Sequence, residues 1–191
     1  LGAFNDNLFK TALITLVVFQ STSLTSLNPS MLATLLPGVF ILPFFLFSAT
    51  SGQIADKYEK SSLMRLVKLF EIGIMMFAAL GFIFHVFWLL VLALFLMGMH
   101  STLFGPVKYA YLPQHLNARE LLGGNGMVEM GTFLAILFGQ IGGAWMAMQM
   151  GGENLAAVAV VLFALLGYVF SRQVPDTPAA DAQLKINWNP L

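Results

Sequence analysis

Long apolar stretches broken by short polar connections run along nearly the whole chain. Six of these stretches reach about 17 residues or more, the length that a helix needs to cross the hydrocarbon core of a bilayer. Alternation with a period of two residues, which would indicate a membrane β-barrel, is absent. The pattern predicts an all-α integral membrane protein with six transmembrane helices at Leu1–Phe19, Met31–Ala55, Ser62–Phe84, Phe87–Tyr111, Leu121–Met148 and Leu155–Ser171.

The composition agrees with this prediction and excludes several classes of function. Only 9% of the residues are charged and 58% are hydrophobic, whereas soluble domains carry about 25% charged residues. The 9 basic and 9 acidic residues cancel, so no basic face is available for nucleic acid. With 0 Cys and 3 scattered His, the sequence predicts neither a metal site nor a bound cofactor.

The distribution of basic residues predicts the orientation of the helices. Cytoplasmic loops of membrane proteins are enriched in Lys and Arg, and the connections after the first, third and fifth predicted helices contain neither. We therefore expect both ends of the chain to face the cytoplasm. That side would hold Lys57, Lys60, Arg65, Lys68, Lys108, Arg119, Arg172 and Lys185.

The last part of the chain, 173–191, differs in composition from the six-helix region 1–172. It is polar and contains Pro, so it cannot span a membrane and has little to bury. We predict a cytoplasmic linker that leads toward a further segment. The first span has no charged flank and no initiator Met, so we also expect sequence upstream of it.

Polar residues interrupt the first helix near its start. Asn7, Thr11 and Thr15 recur every fourth residue and form one stripe, which favours a cavity lined by this helix. The alternative is that Asp6 and Lys10, four residues apart, neutralise each other close to the membrane surface. Three consecutive polar residues exceed what a single ion pair requires, so we prefer the cavity.

The predicted fifth helix carries a second polar face. Glu129 lies about 15 Å from its inner end, too deep for a short carboxylate to reach the surface, and we expect it to be functional. Small residues at Ala135, Gly139 and Gly143 predict close approach of a neighbouring helix. The polar face consists of Asn125, Glu129, Thr132 and Gln140.

Other ionisable residues within the spans allow two interpretations. Glu71 follows Lys68 by three residues, so either a pair directed to the inner surface or a site explains it. Lys108 is equally consistent with a snorkelling residue and with a site. His100 is predicted to pack rather than to relay protons. The adjacent Ser101 points to a different helix face, so an intramembrane enzyme has little support.

The connection between the second and third predicted helices carries a recognisable motif. Gly52, Asp56, Lys57 and Lys60 match G-x-x-x-D-[RK]-x-x-[RK], which the major facilitator superfamily carries at this position. Glycine permits close packing, aspartate can lie at a neighbouring helix N-terminus, and the basic residues hold the turn in the cytoplasm. An ordinary basic turn can match by chance, but the position after the second of six helices makes the resemblance more specific.

Three further runs narrow the resemblance: Phe4–Lys10, Gly105–Tyr109 and Gly124–Glu129. Together they resemble the bacterial lysophospholipid transporter family, including versions fused to an acyltransferase and an acyl-carrier-protein ligase. The tail 184–190 is similar to the central loop of the fused type. The resemblance implies that the chain is the N-terminal six-helix half of a major facilitator fold, with a second half as its partner.

The same resemblance implies a function. Such proteins move lysophosphatidylethanolamine and lysophosphatidylglycerol across the bacterial inner membrane for reacylation, and alternating access of two halves is the expected mechanism. This chain is therefore predicted not to be an enzyme, and acyl transfer would belong to a fused or partner acyltransferase. The alternative is a carrier of another small solute, such as a drug, sugar or peptide. The missing Pro between Gly139 and Gly143 argues against proton antiport of small solutes.

The resemblance also assigns candidate site residues. Asp6 and Lys108 match polar positions that line the family's central cavity, and Glu129 matches its fifth-helix carboxylate. We expect these three to form a charged patch that receives the headgroup, while apolar walls accept the single acyl chain of the lipid. Neutral hydrogen bonds would come from Asn5, Asn7, Asn125 and Gln140.

Overall fold

The computed structural model describes residues 1–19, 25 and 27–187. Over this part the chain is helical, without strands, and a single 3-10 turn follows the fourth helix at Leu112–Gln114. The prediction of an all-α fold with six long helices is confirmed. The helices are α1 (Gly2–Phe19), α2 (Pro29–Lys57), α3 (Lys60–Ile83), α4 (Phe87–Tyr111), α5 (Leu121–Ala147) and α6 (Gly152–Ser171).

Two parts of the sequence prediction lie wholly or partly outside the described residues. Most of the first outer connection, 20–24 and 26, is one of them. The end of the tail, 188–191, is the other.

Five helices, α2 to α6, are long and apolar enough to cross a membrane. Helix α1 falls outside this group because polar residues occupy its first turns. It is instead enclosed by the other helices, and Leu8, Phe9, Ala12 and Leu13 on it are completely buried. Polar side chains cost less free energy on a helix that other helices enclose than on a helix that faces lipid.

The helices pack in pairs around α1. Helix α5 runs along α1, α2 packs on α4, and α3 contacts both α4 and α6. The largest apolar cluster joins α1 to the C-terminal half of α3 and the N-terminal half of α4, with Phe9 and Phe82 in edge-to-face contact. Helices α2 and α5 expose large apolar side chains such as Phe45 and Phe133. Exposed apolar side chains also occur on α3, α4 and α6, for example Leu66, Trp88 and Val158.

Two glycines allow α5 to approach α1 closely. A Cβ atom at Gly139 would lie 2.4 Å from the carbonyl oxygen of Phe4, and one at Gly143 would lie 2.3 Å from that of Leu8. Both obstacles are backbone atoms, which cannot move aside without shifting the helix. The close approach predicted from the spacing of small residues is confirmed.

Enlarging either glycine should therefore destabilise the bundle. Gly139→Ala and Gly143→Ala should each lower the free energy of unfolding by about 1–3 kcal/mol, as overpacking does elsewhere, and lower the melting temperature in detergent. Gly142 on the same helix has nothing within 4 Å of its Cβ position, so Gly142→Ala is the matched control. Equal melting temperatures for all three variants would contradict the packing described here.

The turn between α2 and α3 is only two residues long, and Glu59 organises it. Its carboxylate accepts hydrogen bonds from the backbone N–H of Ser61 at 2.9 Å and of Ser62 at 2.6 Å, which caps α3. Asp56, the aspartate of the motif, is exposed near the end of α2. The residue found at this helix N-terminus is thus Glu59.

The tail after α6 folds back over this turn. The Thr177 backbone N–H donates to Glu59 Oε1 at 2.8 Å, and Asp176 forms an ion pair with Arg65 at 2.9 Å. Lys60 is completely buried beneath the tail, and its Nζ donates to the carbonyl of Pro178 at 3.3 Å. The predicted polar linker is therefore docked on the end of the bundle as far as it is described.

The Glu59 carboxylate lies at the centre of this docking. Partial burial acts to raise its pKa, but hydrogen bonds from Ser62, Thr177 and Ser61 outweigh it and hold the pKa well below the usual glutamate value. The ionised form is therefore the one that stabilises the docked tail. This contribution is complete above the ordinary glutamate pKa and is lost progressively as the pH falls below it.

Removing this charge should loosen the tail. At neutral pH, Glu59→Gln should speed hydrogen–deuterium exchange of the Thr177 amide several-fold, and the difference from the wild-type protein should shrink in acid. Glu120→Gln is the matched control, because Glu120 likewise accepts from a backbone N–H, that of Asn117, and no hydrogen bond or ion pair joins it to the described part of the tail. Unchanged exchange in Glu59→Gln would show that the tail docks without this carboxylate.

Candidate functional site

A cavity of about 1070 Å³ opens between the helices, with contributions from all six. Its volume lies at the upper end of the range for small-molecule sites, about 300–1,000 Å³. Its polar lining consists of Asp6, Asn7, Lys10, Lys68, His100, Ser101, Lys108, Thr132, Gln140 and Ser171. Its large apolar lining residues are Phe40, Phe44, Met64, Phe104, Met127, Ile136 and Phe170.

Asp6 is almost fully buried, with 6% of its surface exposed. The Ser101 hydroxyl on α4 donates to its Oδ2 atom. The Oδ1 atom has no hydrogen-bond partner among the described residues, although it is buried. Such an atom is costly to leave unsatisfied. Asp6 itself is one of the residues that line the cavity.

The ion pair considered for α1 does not form. Asp6 and Lys10 both line the cavity, but their charged atoms do not come within 4.0 Å of each other. The Lys10 ammonium instead lies 4.9 Å from the centre of the Phe40 ring on α2. A cavity is present beside α1, but of the predicted stripe Asn7 lines it whereas Thr11 and Thr15 do not.

The neutral polar residues divide between the cavity and the interior. Asn7 accepts a hydrogen bond from Gln140 at 3.4 Å, and both line the cavity. Asn5 is completely buried behind it, where its amide donates to Glu71 Oε1 at 2.9 Å. Asn125 is exposed on α5 and does not contribute to the cavity lining.

A buried ionic network lies beside Asp6. The Lys68 ammonium and the Glu71 carboxylate are 2.5 Å apart, and His100 Nε2 lies 3.3 Å from the same carboxylate oxygen. Glu71 has no exposed surface. The pair that the spacing allowed is present, but it points into the bundle. Lys68, Glu71 and His100 were absent from the candidate set, and their position within predicted spans was the signal that could have included them.

A second pair joins α4 to α5. Lys108 Nζ lies 3.5 Å from Glu129 Oε1 and 3.3 Å from Thr132 Oγ1. The Tyr109 hydroxyl donates to the same Glu129 oxygen. Lys108 lines the cavity whereas Glu129 does not, and 40% of the Glu129 side-chain surface is exposed. Glu129 therefore contacts the cavity indirectly, through its ion pair with Lys108.

The motif residues occupy a different part of the molecule. Gly52, Asp56, Lys57 and Lys60 do not line the cavity and lie at the turn where the tail docks. No group of three or more His, Asp or Glu side chains within the described ranges could hold a metal ion. The cavity is lined by hydrogen-bonding, charged and apolar side chains and is a candidate binding site.

The family model of the Major Facilitator Superfamily matches residues 1–188. The chain belongs to this superfamily. The chain is similar to the lysophospholipid transporter LplT of Enterobacter sp. (strain 638), which is 26% identical over 94% of this chain. The proteins of the same name from Escherichia coli (strain K12 / DH10B) and Shigella boydii serotype 18 are 29% identical over the same share. The chain spans 42% of the length of each of these relatives.

The two ion pairs should differ sharply in their effect on stability. Glu71→Gln leaves the Lys68 charge buried without its partner, which should lower the free energy of unfolding by about 3 kcal/mol. Replacing both residues, as Lys68→Met with Glu71→Gln, should restore part of this loss. Glu129→Gln should have a smaller effect because that pair is longer, at 3.5 Å, and is only partly buried. Equal losses of melting temperature for the two single variants would contradict the burial assigned to Glu71.

Proposed function

We propose that this chain is one six-helix half of a secondary carrier that moves lysophospholipids between the leaflets of a membrane. The observation that carries the proposal is the amphipathic cavity, in a chain whose relatives over 94% of its length are named lysophospholipid transporters. The headgroup and the acyl chain of a lysophospholipid would each contact side chains of matching polarity in this cavity. The polar groups suit its headgroup, and the phenylalanines and methionines suit its single acyl chain.

The proposed headgroup site is centred on Asp6 and Lys108. The Asp6 carboxylate, which lines the cavity, would accept a hydrogen bond from an ethanolamine ammonium or a glycerol hydroxyl. Asn7 and Gln140 would add neutral hydrogen bonds. Lys108 would contribute positive charge, positioned by Glu129. Asn5 would act indirectly by holding α1 to Glu71.

Aromatic side chains provide the proposed path for the acyl chain. Phe40 and Phe44 on α2, Phe104 on α4 and Phe170 on α6 line the cavity. A sugar or a small peptide would leave these surfaces without an apolar partner, whereas an acyl chain would cover them. This lining favours a lipid over the alternative solutes.

A second six-helix half would complete the carrier. The apolar faces of α2 and α5, which include Phe45, Met127 and Phe133, are exposed in this chain. Part of this surface would face lipid and part the second half. The relatives are more than twice as long as the part that this chain matches. Alternating access would then arise from rocking of the two halves around the cavity.

The proposed setting is the bacterial inner membrane, with both ends of the chain in the cytoplasm. The basic residues around the α2–α3 turn, together with Arg172 and Lys185 after α6, support this orientation. The docked tail, 173–187, would then be the start of the cytoplasmic linker between the halves. Reacylation of the transported lipid would be carried out by a fused or separate acyltransferase, outside this chain.

Transport should depend on the Asp6 charge. In vesicles that contain the full-length protein carrying this chain, Asp6→Asn should slow transbilayer movement of labelled lysophosphatidylethanolamine by roughly tenfold or more, since one charge-assisted hydrogen bond is worth about 1.5–3 kcal/mol. Asp181→Asn, in the exposed tail, is the matched control. The rate is measured as the fraction of label that a membrane-impermeant quencher can no longer reach.

Two outcomes would contradict the proposal. Undiminished movement with Asp6→Asn would remove Asp6 from the headgroup site. Absence of lysolipid movement by the wild-type protein, combined with uptake of a labelled sugar, drug or peptide, would replace the lipid by another solute.

A further inference from the structure

Among the described residues, one lysine that lines the cavity has no carboxylate in contact with its ammonium group. Of the charged residues that line the cavity, Lys68 is paired with Glu71 and Lys108 with Glu129. Lys10 has no carboxylate within 4.0 Å in the part of the chain that the structure describes. The Lys10 ammonium makes no hydrogen bond to the described residues either. It forms a cation–π contact with the Phe40 ring.

The position of Lys10 on α1 adds to this observation. It lies one helical turn beyond Asp6, about 6 Å along the axis, and both side chains line the same cavity. Asp6 is engaged by Ser101 from α4, and Lys10 is held against Phe40 from α2. The two charges are therefore kept apart by different neighbours and remain available to a ligand.

A partly buried ammonium without an anion is an unfavourable arrangement in a protein of this class. The ring of Phe40 offsets only a small part of the lost hydration. An anionic group from the ligand would offset much more, because charge-assisted hydrogen bonds are the strongest available to an ammonium. The surroundings of Lys10 thus indicate a place for an anion.

We propose that Lys10 binds the phosphate of the substrate headgroup. This inference rests on the proposed function and deepens it by naming the residue that selects for phosphate. The phosphodiester is common to lysophosphatidylethanolamine and lysophosphatidylglycerol, so one ammonium serves both. The variable end of the headgroup, an ammonium or a pair of hydroxyls, then lies toward Asp6. A monoacylglycerol has the same acyl chain without phosphate and gains nothing from Lys10.

Binding measurements on the full-length protein in detergent test the assignment. The probes are lysophosphatidylethanolamine, lysophosphatidylglycerol, monoacylglycerol of the same chain length, and glycerol 3-phosphate. Lys10→Met should weaken binding of both lysophospholipids by a similar factor, roughly tenfold or more, and leave monoacylglycerol binding unchanged. Lys10→Arg should retain most of the affinity, because it keeps the charge. Lys185→Met removes a tail lysine outside the cavity and should change nothing.

The outcomes separate the two proposals. If the wild-type protein binds neither lysophospholipid, the proposed function fails. If it binds them and Lys10→Met binds them equally well, only the role of Lys10 is overturned. Equal loss of monoacylglycerol binding would also overturn it, since that result marks a general packing defect. Lys10-dependent binding of glycerol 3-phosphate as tight as that of the lysolipids would assign the site to soluble phosphate esters. Should Lys10→Met not fold, loss of phosphate selectivity in Lys10→Gln decides in its place, and retained selectivity there overturns the assignment.

Discussion

A polar stretch inside a membrane protein persists only where other helices enclose it, and α1 imposes this requirement on the whole bundle. Asn5, Asp6 and Asn7 are consecutive, so they point in different directions around the helix. Asn5 bonds to α3 and α6, Asp6 to α4, and Asn7 to α5. Three adjacent side chains thus fix the positions of four neighbouring helices around α1.

The glycine contact and the polar contacts depend on each other. Gly139 lets the α5 backbone approach α1, and the next residue, Gln140, then comes within hydrogen-bond distance of Asn7. A larger residue at 139 would separate the helices and leave both amides without each other. The same close packing on one side leaves the rest of α5 exposed with a large apolar face. The burial of α1 and the exposure of the opposite face of α5 therefore both follow from this close contact between the two helices.

Hydropathy alone predicted the six helices, because their lengths and boundaries follow from local sequence. The candidate site could be predicted only in part. The Lys68–Glu71 spacing is the same whether the pair faces water or the interior, and the decision depends on Asn5 and His100 from other helices. The cap at Glu59 was also missed, since glutamate is not among the preferred capping residues. Glu59 also accepts a hydrogen bond from the Thr177 backbone N–H in the tail. Nothing in the sequence around Glu59 indicates this distant contact.

The division between paired and unpaired charges explains how one cavity can be both stable and selective. The Lys68–Glu71 pair within α3 is neutralised before any ligand arrives, so it attracts no ion, and its glutamate ties α3 to Asn5 on α1. Asp6 and Lys10 have opposite charges that other helices keep from pairing. A ligand with a phosphate and a donor group satisfies both when it displaces water from the cavity. An uncharged ligand of the same size displaces that water and leaves both groups desolvated. Selectivity then arises from the penalty imposed on the wrong ligand as much as from attraction to the right one.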